Sequence, residues 1–315
     1  MCQQNGTDFK YQNGSDILNF SNIIGNDDIK ELLSKSLETK NLVHSYMFIG
    51  SDGIGKSLFA KELAKMILCE TAEKACGNCS SCIKFDSGNH PDFAFIDSED
   101  GKSIKIGQIR LMQESIAEKP IVSSNKVYVI NNSDLMTTEA QNCLLKTLEE
   151  PPEYANLILV ASNESKLLNT IKSRCTKISF KKLTDDDLKK YAETHSININ
   201  FNLLPVYDGS IAKLIALSTE SDLYDSLDKI IDSLENKNII DIWNDSEILY
   251  KSKENIANML DYFNIVFLNK LRTTNDYKYV NAVKFVEISK KKLSSNANYD
   301  MCIDNLLLQL WKFNH

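Results

Sequence analysis

The sequence predicts an α/β domain built on a doubly wound parallel sheet, followed by an all-α region. Three observations support this fold class. Apolar runs typical of strands buried on both faces alternate with helical patterns up to residue 180. A glycine-rich loop connects the first of these runs to a helix. After Lys182 the strand patterns stop, and apolar residues recur only at helical spacing.

The α/β domain is expected to span residues 17–182, after a polar leader at residues 1–16 that we expect to be disordered. Each element is predicted from its apolar periodicity and from the turn or capping residues at its ends. The predicted elements are a helix ending near Leu37, a strand at Tyr46–Ile49, a helix at Leu58–Leu68, a strand at His90–Ile96, a helix at Ile104–Ala117, a strand at Lys126–Ile130, a helix from the capping pattern at Thr138 to Pro151, and strands at Leu157–Ala161 and Lys177–Phe180.

The remainder of the chain is predicted to be helical. We expect a small lid domain at residues 183–221 and a helical C-terminal domain at residues 222–315. In the C-terminal domain, pairs such as Leu223 and Leu227 place apolar side chains on one face of a helix. No strand pattern interrupts this region.

Composition limits the classes of function. The chain has 315 residues and a net charge of −7, so its surface as a whole does not attract nucleic acid. Contact with DNA must therefore be local or made by a partner. No apolar run approaches the roughly 18 residues of a membrane span. Because the first 16 residues are polar and lack a signal-peptide core, we expect a cytoplasmic protein without membrane contact.

The loop Gly50–Ser57 has the pattern of a nucleotide-binding phosphate loop. It reads Gly-Ser-Asp-Gly-Ile-Gly-Lys-Ser, and its glycines are Gly50, Gly53 and Gly55. A loop between a strand and a helix directs backbone N–H groups and the positive end of the helix dipole toward phosphate. Lys56 would reach the β- and γ-phosphates of ATP, and Ser57 would place its hydroxyl on Mg²⁺. The alternative is a glycine-rich turn that holds no ligand.

Four of the eight cysteines are clustered, at Cys69, Cys76, Cys79 and Cys82. Thiolates at such spacing can form a tetrahedron around zinc. A cytosolic chain favours a metal site over disulfides. Four protein ligands leave no open coordination position, so the predicted zinc is structural. The alternative is that the four thiols hold no metal.

The strand Lys126–Ile130 lacks the acids that hydrolysis needs. In a P-loop ATPase, the strand beside the phosphate loop ends in an acidic residue that holds Mg²⁺ and a glutamate that polarises water. Here the strand is followed by Asn131 and Asn132. A neutral amide can neither accept a proton near pH 7 nor balance the charge of Mg²⁺. Asp134 is the only acid expected nearby, so we predict a phosphate cradle without a hydrolytic centre.

Further motifs, taken with the loop and the cysteines, resemble one family. They are Ile23–Asn26, His44–Gly50, His90–Asp92, Ile104–Arg110, Ala140–Pro152 and Ser173–Cys175. Together they are similar to the clamp-loader subunits of bacterial DNA polymerase III, which are AAA+ proteins, and among them to the delta-prime subunits. The resemblance covers about residues 17–182 and continues at Gly209–Ser210.

The resemblance implies a fold and a set of partners. The fold would be an AAA+ P-loop domain with a zinc module inserted at residues 69–82, a helical lid and a collar domain. The collar would join tau/gamma motor subunits and a delta subunit in a hetero-pentamer that acts on the sliding clamp and primed DNA. Arg174 of the Ser-Arg-Cys motif would be an arginine finger acting in trans on a neighbour's ATP. No catalytic residue is implied in cis.

Two departures from the family's motor subunits bear on activity. Those subunits carry Asp-Glu where this chain has Asn131 and Asn132, and an arginine where it has Ala212. The resemblance therefore favours a delta-prime stator without independent ATPase activity, and it leaves ATP binding open. One alternative is an active tau/gamma-type motor, which the same residues oppose. Another is a small-molecule P-loop kinase, which the cysteine cluster and the helical C-terminal third fit poorly.

Overall fold

A computed structural model of the chain describes residues 20, 23–39, 41–71, 75–99, 101–199, 204–218, 221–236, 239–251, 253–295 and 297–314. The chain divides into two compact units, Met1–Lys182 and Leu183–His315. Their boundary coincides with the point at which strand patterns end in the sequence. The predicted leader at residues 1–16 lies outside the described residues. Within the described part of the chain, no helix is both long enough and apolar enough to cross a membrane.

The first unit is a parallel β-sheet with helices on both faces. Its strands are β1 (Ser45–Ile49), β2 (Phe93–Ile96), β3 (Lys126–Ile130), β4 (Ala155–Ala161) and β5 (Thr176–Ser179). Its helices are α1 (Asp27–Glu38), α2 (Lys56–Leu68), α3 (Ser80–Asp86), α4 (Ile106–Ile116), α5 (Thr138–Glu149) and α6 (Asn169–Lys172). The strand order is β2-β3-β4-β1-β5, and all four pairings are parallel. The predicted doubly wound sheet is confirmed.

Alternate residues of the strands supply two apolar cores, one on each face of the sheet. Phe48 and Val129 belong to the core that also contains buried residues of α1 and α2. Met47 and Tyr128 belong to the core that contains buried residues of α4 and α5. Successive strand side chains point to opposite faces. Because both faces are covered by helices, the strands appear in the sequence as continuous apolar runs.

Some boundaries differ from the predictions for local reasons. The segment His90–Asp92 precedes β2 instead of opening it, because Pro91 has no N–H to donate to a strand ladder. Helix α5 is capped by Thr137, whose hydroxyl accepts a hydrogen bond from the N–H of Ala140 at 3.3 Å. The cap therefore lies one residue before the predicted Thr138. The sequence pattern does not predict α3, a short helix within the cysteine module.

The second unit contains only helices and turns in its described residues. Its helices are α7 (Asp185–Thr194), α8 (Leu204–Tyr207), α9 (Ile211–Ser218), α10 (Ser221–Asn236), α11 (Ile239–Asp245), α12 (Glu247–Lys251), α13 (Ile256–Thr274), α14 (Lys278–Ser294) and α15 (Tyr299–Asn314). One apolar core includes residues from Leu183 to Leu310. The predicted all-α region is confirmed. Its further division into a lid (183–221) and a collar (222–315) stays a prediction.

Candidate functional site

The phosphate loop leaves the carboxyl end of β1, which lies between β4 and β5, and leads into α2. Gly53 and Gly55 have φ angles of +75° and +92°, a conformation that favours glycine. A Cβ on Gly55 would meet no atom within 4 Å, so the space beside this residue is open. A Cβ on Gly50 would instead lie 2.8 Å from the side chain of Ile54 and 2.9 Å from the carbonyl oxygen of Phe180. Gly50 is therefore required by packing.

Lys56, the first residue of α2, provides the positive charge of the loop. Its side chain is buried, and its Nζ donates hydrogen bonds to the carbonyl oxygens of Gly50 (2.8 Å) and Ser51 (2.6 Å). A third hydrogen bond, of 3.2 Å, joins Nζ to the hydroxyl of Ser162. Half-buried Ser57 follows in the same helical turn. The ammonium group and the helix N-terminus together form a site that suits a phosphate chain.

Ser162 links three parts of this site, a role that the sequence analysis did not predict. Its hydroxyl donates to a carboxylate oxygen of Asp52 in the loop, and its N–H donates to Asp134 Oδ1 at 3.1 Å. Burial lowers the pKa of Lys56, whereas the negative charges of Asp52 and Asp134 act in the opposite direction. Asp134 thus contacts the phosphate-loop region through Ser162. Only its position directly after a buried strand could have drawn attention to Ser162.

At the end of β3, two amides bind a carboxylate from the neighbouring strand. Asn131 Nδ2 donates to Asp97 Oδ2 at 2.7 Å, and Asn132 Nδ2 donates to Asp97 Oδ1 at 3.0 Å. Asp97 follows β2, which pairs with β3. The expectation that Asp134 is the only acid near this strand end is therefore wrong, because the pairing of β2 with β3 brings Asp97 beside it. Both asparagines are engaged as donors to that acid.

The four clustered cysteines have the geometry of a metal site. The Sγ atoms of Cys69, Cys76, Cys79 and Cys82 all lie within 4.8 Å of one another. Cys69 Sγ is 3.7 Å from Cys76 Sγ and 4.0 Å from Cys79 Sγ. Zinc–sulfur bonds of about 2.3 Å in a tetrahedron place the sulfurs about 3.8 Å apart. Burial raises the pKa of the Cys82 thiol, so a bound cation would be needed to hold all four as thiolates.

His90 and Asp92 brace the loops around this cluster. The buried Asp92 carboxylate accepts hydrogen bonds of 2.7, 2.7 and 2.9 Å from the N–H groups of residues 121–123. Burial alone would raise the pKa of Asp92, but the three hydrogen bonds outweigh it and the pKa lies below its usual value. His90 Nδ1 accepts from the N–H of Asp92, so its Nε2 carries the proton and donates to Ser81 of α3 at 2.8 Å. This motif supports the cysteine module.

Arg174 lies between α6 and β5, and its side chain is 34% exposed. Its Nη2 is 2.8 Å from Oε1 of Glu149, the last residue of α5. Its Nη1 donates to the carbonyl oxygen of Thr170 at 2.9 Å and to the hydroxyl of Ser173 at 3.4 Å. The arginine is therefore paired with a carboxylate within its own chain. The pairing orients the guanidinium without removing it from the surface.

In the second unit, Ala212 lies exposed on α9. It follows Gly209, whose φ of +70° favours glycine, and the buried Ser210. The Ser210 hydroxyl accepts a hydrogen bond from the N–H of Lys213 at 3.3 Å, as an N-terminal cap of α9 would. The methyl group of Ala212 brings no positive charge to this position.

The family model described as DNA polymerase III, delta subunit, matches residues 25–184, about half of the chain. The chain belongs to the DNA polymerase III delta-subunit family. The matched region contains the phosphate loop, the cysteine cluster, the amides after β3 and Arg174. The sequence motifs predicted a member of the clamp-loader family, and this prediction is confirmed.

Two curated relatives come from different subunit types. DNA polymerase III subunit delta′ of Bacillus subtilis (strain 168) is 34% identical over 205 residues, which are 64% of this chain and 62% of that protein. DNA polymerase III subunit tau/gamma of Haemophilus influenzae is 32% identical over 210 residues, which are 66% of this chain and 30% of that protein. The chain therefore spans less than two thirds of the length of either relative.

A solved structure supports the fold. The crystal structure of a DNA polymerase III gamma subunit-related protein from Thermotoga maritima aligns with a TM-score of 0.50 at 17% identity. The alignment covers 90% of this chain and 99% of that chain. At this identity the likeness concerns the fold alone. The predicted fold class, an α/β domain with a parallel sheet followed by an all-α region, is confirmed.

Proposed function

We propose that this chain is the delta-prime stator subunit of a bacterial clamp loader and has no ATPase activity of its own. The observation that carries the proposal is the end of β3, where Asn131 and Asn132 both donate to Asp97. Hydrolysis needs a carboxylate there to hold Mg²⁺ and another to activate water. The amides supply neither function, and the one carboxylate beside them, Asp97, already accepts a hydrogen bond on each of its oxygens from these amides. The phosphate loop beside them could hold a nucleotide without cleaving it.

In the proposed complex, the chain contributes to hydrolysis at a neighbour's site. Arg174 would neutralise charge that develops on the γ-phosphate of an adjacent tau/gamma-type motor subunit. Arginine fingers of this kind are worth roughly 10³–10⁵ in rate. The helical second unit would join motor and delta subunits in a hetero-pentamer in the cytoplasm. The sliding clamp and primed DNA would be reached through that complex, since the net charge of −7 does not favour direct binding to DNA.

Two cofactors belong to the proposal. The cysteine cluster would hold one structural zinc ion, which its sulfur distances support. The phosphate loop would hold ATP with Mg²⁺, through Lys56, Ser57 and the N–H groups around Gly53 and Gly55. The positive φ angles of these glycines and the buried Lys56 ammonium support this assignment.

An active tau/gamma-type motor is the second candidate. The phosphate loop favours it, because the loop retains its glycines, lysine and serine. The similarity to tau/gamma subunits also favours it. The amides after β3 and the exposed Ala212 oppose it.

An ATPase assay on the isolated full chain separates the two candidates. We expect turnover at background, even where a fluorescent ATP analogue binds. Steady-state turnover that disappears in a Lys56→Ala variant would identify a motor and contradict the proposal.

In a loader reconstituted with motor and delta subunits, Arg174→Ala should leave assembly intact. It should lower the ATPase rate stimulated by DNA and clamp only in part, because one of several motor sites would face this subunit.

Metal analysis of tag-free protein tests the zinc assignment. We expect about one zinc per chain and a loss of thermal stability when Cys69, Cys76, Cys79 and Cys82 are replaced by serine. Cys143→Ser is the control, because Cys143 lies outside the cluster, on α5, and its sulfur donates to Gln113. Substoichiometric zinc, or a quadruple variant as stable as the parent, would contradict the assignment.

A further inference from the structure

We propose that Glu149 is the positioning residue for Arg174. This inference rests on the proposed function, because it assigns a partner to the trans-acting arginine. Glu149 ends α5, Arg174 follows α6, and 2.8 Å separates Oε1 from Nη2. The two side chains are 49% and 34% exposed. The ion pair therefore lies at the surface of the first unit, where another subunit could reach it.

The hydrogen bonds of Arg174 leave part of the guanidinium available in a set orientation. Arginine has five N–H donors. The two on Nη1 are directed at the carbonyl oxygen of Thr170 and the hydroxyl of Ser173, and one on Nη2 is directed at Glu149. Within the described part of the chain, the other two donors form no hydrogen bond or ion pair. Two donors on a planar group suffice for a two-oxygen contact with a phosphate.

The position of Glu149 is not explained by the helix that carries it. A carboxylate in the last turn of a helix faces the negative end of the helix dipole, which destabilises the helix. Pro151 and Pro152 follow one residue after the helix, so α5 cannot extend beyond this point. Glu150, the next residue, is also exposed, but the ion pair with Arg174 is made by Glu149. The unfavourable placement of Glu149 is offset by its ion pair with the arginine.

The ion pair between Glu149 and Arg174 matters for catalysis because it orients the guanidinium group. An exposed ion pair adds little to folding stability. An arginine held ready before the γ-phosphate arrives, however, does not have to be ordered during the reaction. Without Glu149, the guanidinium would keep its bonds to Thr170 and Ser173 but lose the contact that fixes Nη2. The chemical step should slow, while ATP binding to the motor subunit should not change.

Steady-state ATPase kinetics of the reconstituted loader test the inference. The variants are Glu149→Ala, Arg174→Ala, the double variant, and Glu150→Ala as the matched control. We expect Glu149→Ala to cause a partial loss of kcat that is no larger than the loss caused by Arg174→Ala, with unchanged KM and unchanged thermal stability. Glu150→Ala should behave like the parent, and the double variant should be no slower than Arg174→Ala. Glu149→Gln keeps one acceptor oxygen and should fall between Glu149→Ala and the parent, so it also serves if the alanine variant fails to assemble.

The outcomes distinguish this inference from the proposed function. If Arg174→Ala lowers kcat and Glu149→Ala does not, the inference is wrong and the arginine finger stands. If neither variant changes kcat, the arginine finger itself fails and the inference fails with it. If the double variant is slower than Arg174→Ala by the full effect of Glu149→Ala, the two residues act independently, which overturns the inference.

Discussion

Replacing Asn131 by aspartate should destabilise the first unit, because a hydrogen bond would become a repulsion. Asn131 Nδ2 lies 2.7 Å from Asp97 Oδ2, and Asn132 donates to the other oxygen at 3.0 Å. Aspartate has the same shape as asparagine but no donor when ionised. Its oxygen would therefore face the oxygen of Asp97 at a similar distance. Asn131→Asp would introduce the acid that the sequence analysis assigns to motor subunits, and the negative charge of Asp97 opposes it.

The size of the effect follows from this separation. Two unit charges about 3 Å apart repel by about 1.4 kcal/mol at a dielectric constant of 80 and by about 5.5 kcal/mol at 20. The lost charge-assisted hydrogen bond adds about 1.5–3 kcal/mol. The side chains are half-buried, which places the repulsion toward the lower of these values, so we expect the free energy of unfolding to fall by about 3–5 kcal/mol near neutral pH.

Urea unfolding followed by circular dichroism measures this loss, and hydrogen exchange of peptides from β2 and β3 locates it. Tryptophan fluorescence would miss it, because Trp243 and Trp311 both lie in the second unit. Asn142→Asp adds the same charge at an exposed position on α5 and is the control. Combining Asp97→Asn with Asn131→Asp restores an amide–carboxylate pair and should recover most of the stability. A single variant as stable as the parent, or a double variant no better than the single, would refute the reasoning.

Three further predictions concern the phosphate loop and α2. Gly50→Ala should lower the free energy of unfolding, measured with urea, by about 1–3 kcal/mol, because its Cβ would lie 2.9 Å from the carbonyl oxygen of Phe180. Gly107→Ala is the control, because a Cβ at Gly107 would have no atom within 4 Å. Burial raises the pKa of Glu62 from 4.5 to about 7, so the native state loses stability as pH rises from 4.5 to 7. Glu62→Gln should remove this pH dependence and stabilise the chain by about 3 kcal/mol at pH 8 but not at pH 4, and equal unfolding curves at pH 8 would contradict this. Asp52→Asn removes a negative charge beside the phosphate site and should tighten ATP binding about fivefold in titration calorimetry, and unchanged affinity would argue against the assigned site.

Local patterns in the sequence were sufficient for several features of this chain. The apolar runs of β1, β3 and β4 predict buried strands, because a strand covered on both faces has no polar side. The phosphate loop is recognisable because its glycines, Lys56 and Ser57 are neighbours in the chain. The four cysteines fall within 14 residues, Cys69–Cys82, so their spacing alone predicts a common site, and the structure brings their sulfurs together. Each of these features depends on residues close in sequence.

Other features depend on contacts between residues far apart in the chain. Asp97 meets Asn131, 34 positions away, only because β2 pairs with β3. Ser162 reaches Lys56 across 106 positions because β4 lies beside β1. No local pattern encodes the strand order β2-β3-β4-β1-β5, although this order brings the carboxyl ends of the strands to one edge. The same limit applies to Glu149 and Arg174, whose motifs are visible in the sequence while their ion pair forms only in the folded unit.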